Sequence, residues 1–163
     1  MDRLWTPWRY KYISTNKETP GCIFCDKPAE GRDEENYIVH RARFNYVILN
    51  AFPYTSGHVM VAPYEHVSTP EDASEETLTE MMLLARRTIE CLRRAYKPDG
   101  LNMGMNIGES AGAGVVGHIH LHVLPRWTGD ANFMTTVGET RVIPELLEET
   151  YRKLRQAFAD VAG

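Results

Sequence analysis

Cysteine-poor and without a basic surplus, this chain is defined first by what it has little of. Only three of its 163 residues are cysteine, Cys22, Cys25 and Cys91. An odd, small count, with no apolar leader in the opening Met-Asp-Arg-Leu-Trp-Thr-Pro-Trp-Arg, points to reduced thiols and a cytoplasmic setting. No apolar run approaches the length of a membrane span. The formal net charge of -4 leaves no excess of cations to neutralise a phosphate backbone, which argues against a general nucleic-acid binder. A small polyanion needs only local donors and stays open as a ligand. Internal repeats and low-complexity tracts are absent. The remaining composition, 43% hydrophobic and 25% charged, is that of a globular protein, and the length suits one compact domain better than two.

An aromatic and basic arm occupies residues 1–14, where Trp5, Trp8, Arg9 and Tyr10 suit packing on the body or on a partner. Residues 21–28 form a knuckle around Cys22 and Cys25. Strands are predicted over 36–41 and 45–50, where β-branched and aromatic residues cluster, and over 58–63 after the turn Pro53-Tyr-Thr-Ser-Gly57. Ser74 is a suitable N-cap, with Glu75 and Glu76 favoured at the positive end of a helix. Leu78, Met81, Met82, Ala85, Ile89, Leu92 and Tyr96 then recur at helical spacing, so 74–97 is an amphipathic helix with its methionines in the core. Cys91 lies off that stripe. Pro98-Asp99-Gly100 ends the helix. Strands follow at 101–107 and 115–124, the second ended by Pro125 and preceded by the glycine-rich loop 108–114. Ile143, Leu147, Leu154, Phe158 and Val161 mark a last helix with Pro144 in its first turn. Short turns between strands, one long central helix and one terminal helix together imply an antiparallel α+β fold.

Histidine is the informative residue. There are six, and three of them fall in His118-Ile119-His120-Leu121-His122. On a strand this alternation puts all three imidazoles on one face, about 7 Å apart at each step of two residues. A row of solvent-facing histidines and a structural metal site are the plain readings. The adjacent glycine-rich loop favours a third, because glycine lets backbone N–H groups approach a phosphate. Neutral imidazole is nucleophilic near pH 7 and can attack phosphorus, and a neighbouring imidazole can act on the leaving oxygen. Nucleotidyl or phosphoryl transfer in two steps is the implied chemistry.

The run His118-Ile-His-Leu-His-Val-Leu124 resembles the signature of the histidine triad family. Leu49-Asn-Ala-Phe-Pro-Tyr-Thr-Ser-Gly-His58 is similar to that family's strand–turn–strand. Arg3-Leu-Trp-Thr-Pro-Trp-Arg9 and Pro125-Arg-Trp-Thr-Gly-Asp-Ala-Asn-Phe-Met134 are similar to a bacterial branch that includes diadenosine tetraphosphate phosphorylases and hydrolases. The resemblance implies a five-stranded antiparallel sheet with two helices, usually in a homodimer. It implies that His120 attacks the α-phosphate and carries the nucleotide, while His122 contacts the phosphate and assists the leaving group. Asn50 would lie near the ribose and Asn106 beside the α-phosphate. Many family members place Gln or Ser before the triad; Gly112-Ala-Gly-Val-Val-Gly117 here leaves phosphate contact to backbone N–H groups, Gly112 and Gly114 among them.

Cys22-Ile-Phe-Cys25 has the spacing of a zinc knuckle, although such pairs can also be redox-active or simply two thiols. A redox pair would be expected at a helix start in a βαβ unit. Two more ligands are at hand, His66 after the 58–63 strand and His118, and the resemblance implies this set. Four protein ligands make a closed, structural Zn2+ site that braces the triad. His40 and His58 read as satisfied or surface histidines. The expected function is cleavage of a dinucleoside polyphosphate such as diadenosine tetraphosphate, by orthophosphate or water, through a nucleotidyl-histidine. A nucleoside phosphoramidase, a non-catalytic nucleotide-binding module and a metal-stabilised scaffold are the alternatives.

Overall fold

Asn45–Leu49 and Val59–Pro63 are buried at every position, so both faces of these strands must be covered and they must sit inside a sheet. They are β2 and β3 of five strands, with β1 at Ile38–Arg41, β4 at Gly100–Met105 and β5 at Leu121–Arg126. The spatial order is β1-β2-β3-β5-β4, with every pair antiparallel. This computed structural model describes residues 21–138 and 142–161; the aromatic arm at 1–14 lies outside them.

The helices are α1 at Ile23–Ala29, α2 at Glu75–Tyr96, the single turn α3 at Phe133–Thr136 and α4 at Leu147–Val161. One sheet face, carrying Val47, Leu49, Val59, Val61, Leu121 and Val123, packs on α2 and α4. The other carries Ile38, Tyr46, Ile48, Met60 and Ala62 and is covered by Phe24 of α1. His122 is paired with Met60 across β3 and β5 and therefore belongs to this second, α1-covered face.

The long helix starts where its cap predicts, with the Ser74 side chain accepting from Thr77 N at 3.2 Å. Its buried stripe is shifted from the expected one. Met81, Leu84, Ala85, Thr88, Cys91 and Leu92 are buried, whereas Met82 is 52% exposed. Angular position decides this rather than side-chain character: Cys91 lies about 80° from Met81 on the side of Leu84 and Thr88, at the margin of the buried arc, while Met82 is turned about 100° the other way, outside it. Thr88 is accepted in the core because its hydroxyl donates to Leu84 O at 2.7 Å.

β1 to β4 each differ from the expected ranges by one or two residues at one end or both, and the last helix and β5 differ for identifiable reasons. The last helix begins at Leu147, leaving Ile143 and Pro144 outside it. Tyr96 OH donates to Glu145 at 2.6 Å and holds that residue against α2 instead of in a helical turn. Regular strand begins only at Leu121, because Ile119 N donates to Val67 O at 2.8 Å, beyond the end of β3. Pro125 lies within β5 rather than ending it. Its carbonyl accepts from Thr55 Oγ1 on the side where β3 has not yet begun, so the missing N–H costs no ladder bond.

Candidate active site and metal cluster

The irregular run before β5 brings the triad side chains into three different environments. His118 is fully buried, and its Nδ1 lies 3.3 Å from Cys22 Sγ and 3.5 Å from Cys25 Sγ. Cys25 Sγ is 3.2 Å from His66 Nδ1. The ligand atoms of Cys22, Cys25, His66 and His118 all fall within 4.8 Å of one another, so the cluster could hold a metal ion. The sulfur–nitrogen edge of a tetrahedral zinc site with ordinary bond lengths is about 3.5 Å, close to the spacings found. His118 Nε2 donates to Pro63 O at 2.9 Å, which fixes the proton there and leaves Nδ1 as the metal-facing atom.

The cysteine pair departs from expectation in one respect. Cys22 is the N-cap of α1 and Cys25 sits in its first turn, so the pair does open a helix. Burial and the neighbouring Cys22 push the Cys25 thiol up to about 11, the opposite of the activated thiolate of a redox pair. All three cysteines are unpaired, and Cys91 is buried in the helix-covered core.

His120 is 3% exposed, and its Nδ1 donates to His118 O at 2.9 Å. That bond assigns the proton to Nδ1 and leaves a lone pair on Nε2. Phe24 stacks on the ring with centroids 4.7 Å apart and planes 29° apart, and it also touches the His118 ring at 5.3 Å. Burial lowers the pKa of His120, which keeps it neutral and nucleophilic at pH 7. The rings of His120 and His122 meet edge to face at 4.9 Å, closer than the about 7 Å of a regular strand, because His120 lies before the ladder begins.

His122 has a partner the sequence did not reveal. His58 is buried to 1% exposure, and its Nε2 lies 2.9 Å from His122 Nδ1. The Tyr54 backbone N–H donates to His58 Nδ1 at 3.1 Å, so that nitrogen must accept and the His58 proton must sit on Nε2. His58 therefore donates to His122 Nδ1, and neutral His122 keeps its own proton on Nε2. Asn50 supports the same arrangement: its Oδ1 accepts from Phe52 N at 2.9 Å, which turns Nδ2 toward His58 Nδ1 at 3.4 Å. Burial, with the nearby His120, lowers the pKa of His122 to about 4. His58 is thus more than a satisfied core residue. In the sequence His58 stood only at the close of the strand–turn–strand run 49–58; its meeting with His122 comes from the register that sets Met60 opposite that residue. His40, by contrast, stacks on Phe158 at 5.0 Å, away from the triad's partners.

Asn106 Nδ2 donates to Gly112 O at 3.4 Å, drawing the end of β4 to the glycine-rich loop. Gly108 and Gly112 have φ of 82° and 88°, a region that a Cβ disfavours, so the loop's path depends on glycine at both places. Gly114 is exposed in the same loop. Beyond the turn that carries Tyr54, a cavity of about 220 Å³ is lined by Ser56, Arg126, Trp127 and Asn132. The structure thus gathers Cys22, Cys25, His66 and His118 in one cluster, His120, His122, His58 and Asn50 in a connected row, and Asn106 with Gly112 in the loop.

Comparison with known proteins agrees with this architecture. The HIT domain model matches residues 32–129. The chain is 39% identical over 167 aligned residues to an AP-4-A phosphorylase of Mycobacterium tuberculosis, covering 98% of this chain and 85% of that protein. Among solved structures, a Zn-bound histidine triad family protein from Mycobacterium smegmatis superposes with a TM-score of 0.70 at 31% identity, covering 87% of this chain and 96% of that one. A hypothetical histidine triad nucleotide-binding protein from Sulfolobus tokodaii gives 0.68 at 30% identity, covering 85% and 93%.

Proposed function

This chain belongs to the HIT domain family, and from that premise we propose that it is an enzyme cleaving dinucleoside polyphosphates by nucleotidyl transfer through His120. The observation that carries the reading is the division of protons between two adjacent rings. His120 holds its proton on Nδ1 against His118 O and offers Nε2 as a lone pair; His122 holds its proton on Nε2 through the His58 bond. One ring is set to attack phosphorus and the other to donate beside it.

In the first step the His120 Nε2 lone pair forms a bond to the α-phosphorus, and the P–O bond to the rest of the polyphosphate breaks. The electron pair leaves on that oxygen, which receives a hydrogen bond from His122 Nε2–H. His120 then carries phosphorus on Nε2 and a proton on Nδ1, and is an imidazolium whose N–H remains on His118 O. In the second step an oxygen of orthophosphate, or water losing a proton to solvent, attacks phosphorus and the electron pair returns to Nε2. With diadenosine tetraphosphate, orthophosphate would yield ADP and ATP, and water would yield AMP and ATP. The AP-4-A phosphorylase resemblance over nearly the whole chain favours orthophosphate.

The nucleotide sites follow the same reading. Asn50 lies by the ribose, using what its amide leaves after bonding Phe52 and facing His58; Asn106 and the N–H groups near Gly112 and Gly114 face the phosphate. Cys22, Cys25, His66 and His118 would hold a structural Zn2+, which supplies a closed, redox-inert anchor for the segment leading to His120. The protein is a single domain working in the cytoplasm, where its thiols stay reduced. It is a homodimer joined at β4, one of the two edge strands, where Met103 on the strand and Ile107 just beyond it are 46% and 47% exposed.

Product analysis with diadenosine tetraphosphate, with and without orthophosphate, tests the function. ADP and ATP formed only with orthophosphate make a phosphorylase, AMP and ATP in both make a hydrolase, and no turnover overturns the reading. His120→Ala is expected to keep the fold and bound zinc while losing the covalent adduct in rapid-quench mass spectrometry. Sedimentation equilibrium showing only monomer would remove the dimer.

A further inference from the structure

Phe24 stands between the two cysteines of the knuckle, yet its side chain is turned inward and is 1% exposed. It is held from three directions. Its backbone belongs to α1, whose first-turn bonds run from Cys25 N and Asp26 N to Cys22 O at 2.9 and 2.8 Å. Its carbonyl accepts from the buried Tyr46 hydroxyl at 2.7 Å, which pins α1 to β2. Its ring lies over His120 at 4.7 Å and 29° and leans on His118 at 5.3 Å and 46°. No carboxylate contacts His120 among the described residues; the ring's neighbours are the His118 carbonyl, the His122 edge and the Phe24 face.

That arrangement has an electronic consequence once His120 reacts. A neutral imidazole gains only packing and dispersion from a stacked phenyl ring. A nucleotidyl-imidazolium bears positive charge directly over the negative face of the phenyl quadrupole, in a site from which water is excluded. An interaction that grows as charge develops lowers the barrier instead of merely tightening the ground state.

We propose that Phe24 is a positioning residue that holds the His120 ring in its attacking orientation and stabilises, through its π face, the cationic nucleotidyl-histidine. The inference rests on the nucleotidyl-transfer reading above and assigns the source of charge stabilisation within it. Both neutralising contacts then come from uncharged groups, the His118 carbonyl in the plane of the ring and Phe24 across its face. A carboxylate in either place would stabilise the intermediate so strongly that its breakdown would slow.

Replacing Phe24 with mono-, di- and trifluorinated phenylalanines in the full-length protein keeps the ring's shape while progressively draining its negative face. The rate of adduct formation on diadenosine tetraphosphate, measured by rapid quench, is expected to fall stepwise across the series, by about twofold to thirtyfold at the end. Zinc content, melting temperature and KM should stay near those of the parent protein. Phe24→Leu, apolar but without a quadrupole, should match the most fluorinated member. A flat series in a protein that does form the adduct overturns the inference. Absence of any adduct in the parent protein overturns the nucleotidyl-transfer reading instead.

Discussion

At the scale of single residues, the site works by assigning protons. His58 matters most here, because its donor to His122 Nδ1 is what places the His122 proton on Nε2. His58→Phe should leave His122 without that partner, and a lost buried hydrogen bond of this kind corresponds to about a tenfold to hundredfold fall in kcat. Steady-state kinetics on diadenosine tetraphosphate would show it; an unchanged kcat would mean that the His122 tautomer is set by something else. The pH dependence has a definite sign. His122 titrates at about 4 in the folded protein, below its ordinary value near 6.5, so it stays neutral as pH falls from 8 to about 5. Its contribution to kcat should therefore be flat across that interval and change only toward pH 4, where a proton on Nδ1 breaks the bond from His58. The grouping of His118, His120 and His122 was legible from their spacing, and the family resemblance singled out His120. The His58 role was not, since sequence distance says nothing about which strand lies opposite which.

At the scale of elements, α2 shows what local pattern can and cannot specify. Its start was legible from Ser74, Glu75 and Glu76, because a cap acts on its own first turn. Ser74→Ala should cost about 1 kcal/mol of unfolding free energy in urea titration, since Thr77 N loses its side-chain acceptor. The stripe was legible only approximately. Met82 and Cys91 exchange roles because sheet and α4 cover one arc of the helix, and apolarity alone does not locate that arc. Leu92→Ala, at a fully buried position, should cost about 2–5 kcal/mol, whereas Met82→Ala should change stability by less than about 0.5 kcal/mol in the monomer. The turn before β3 is stricter. Gly57 has φ of 80°, and an added Cβ would lie 3.0 Å from Tyr96, so this residue fixes the turn that presents Tyr54 N to His58.

At the scale of the whole molecule, the metal cluster joins chain segments that are far apart, with Cys22 and His118 separated by 96 positions. A zinc ion held there would stabilise only the folded chain, so stripping it with a strong chelator should lower Tm by roughly 10 °C or more in calorimetry. Metal analysis should give one zinc per chain before treatment; retention of Tm after complete removal would show that the cluster carries no structural metal. Acid should destabilise the fold as well. The unfolded chain binds a proton at His122 near pH 6.5, whereas the folded chain does so only near 4. Stability from this residue is fully present above about pH 6.5 and is lost progressively as pH falls to about 4, by up to about 3 kcal/mol.

What the sequence determined by itself was whatever depends on neighbours along the chain. The helix cap, the strand alternation, the triad with its glycine-rich loop and the CxxC spacing are all local, and with the family resemblance they indicated an α+β fold and named His120. Tertiary structure decided what depends on neighbours across the chain. It set the order β1-β2-β3-β5-β4, which puts Met60 beside His122 and brings His58 to its Nδ1. It drew residues 118–120 out of the ladder, so that one imidazole faces the cysteines and the next stacks on Phe24. Long-range pairing and burial choose tautomers and ring environments, because a proton's place on an imidazole depends on which donor or acceptor lies opposite it, and only the folded chain supplies that group.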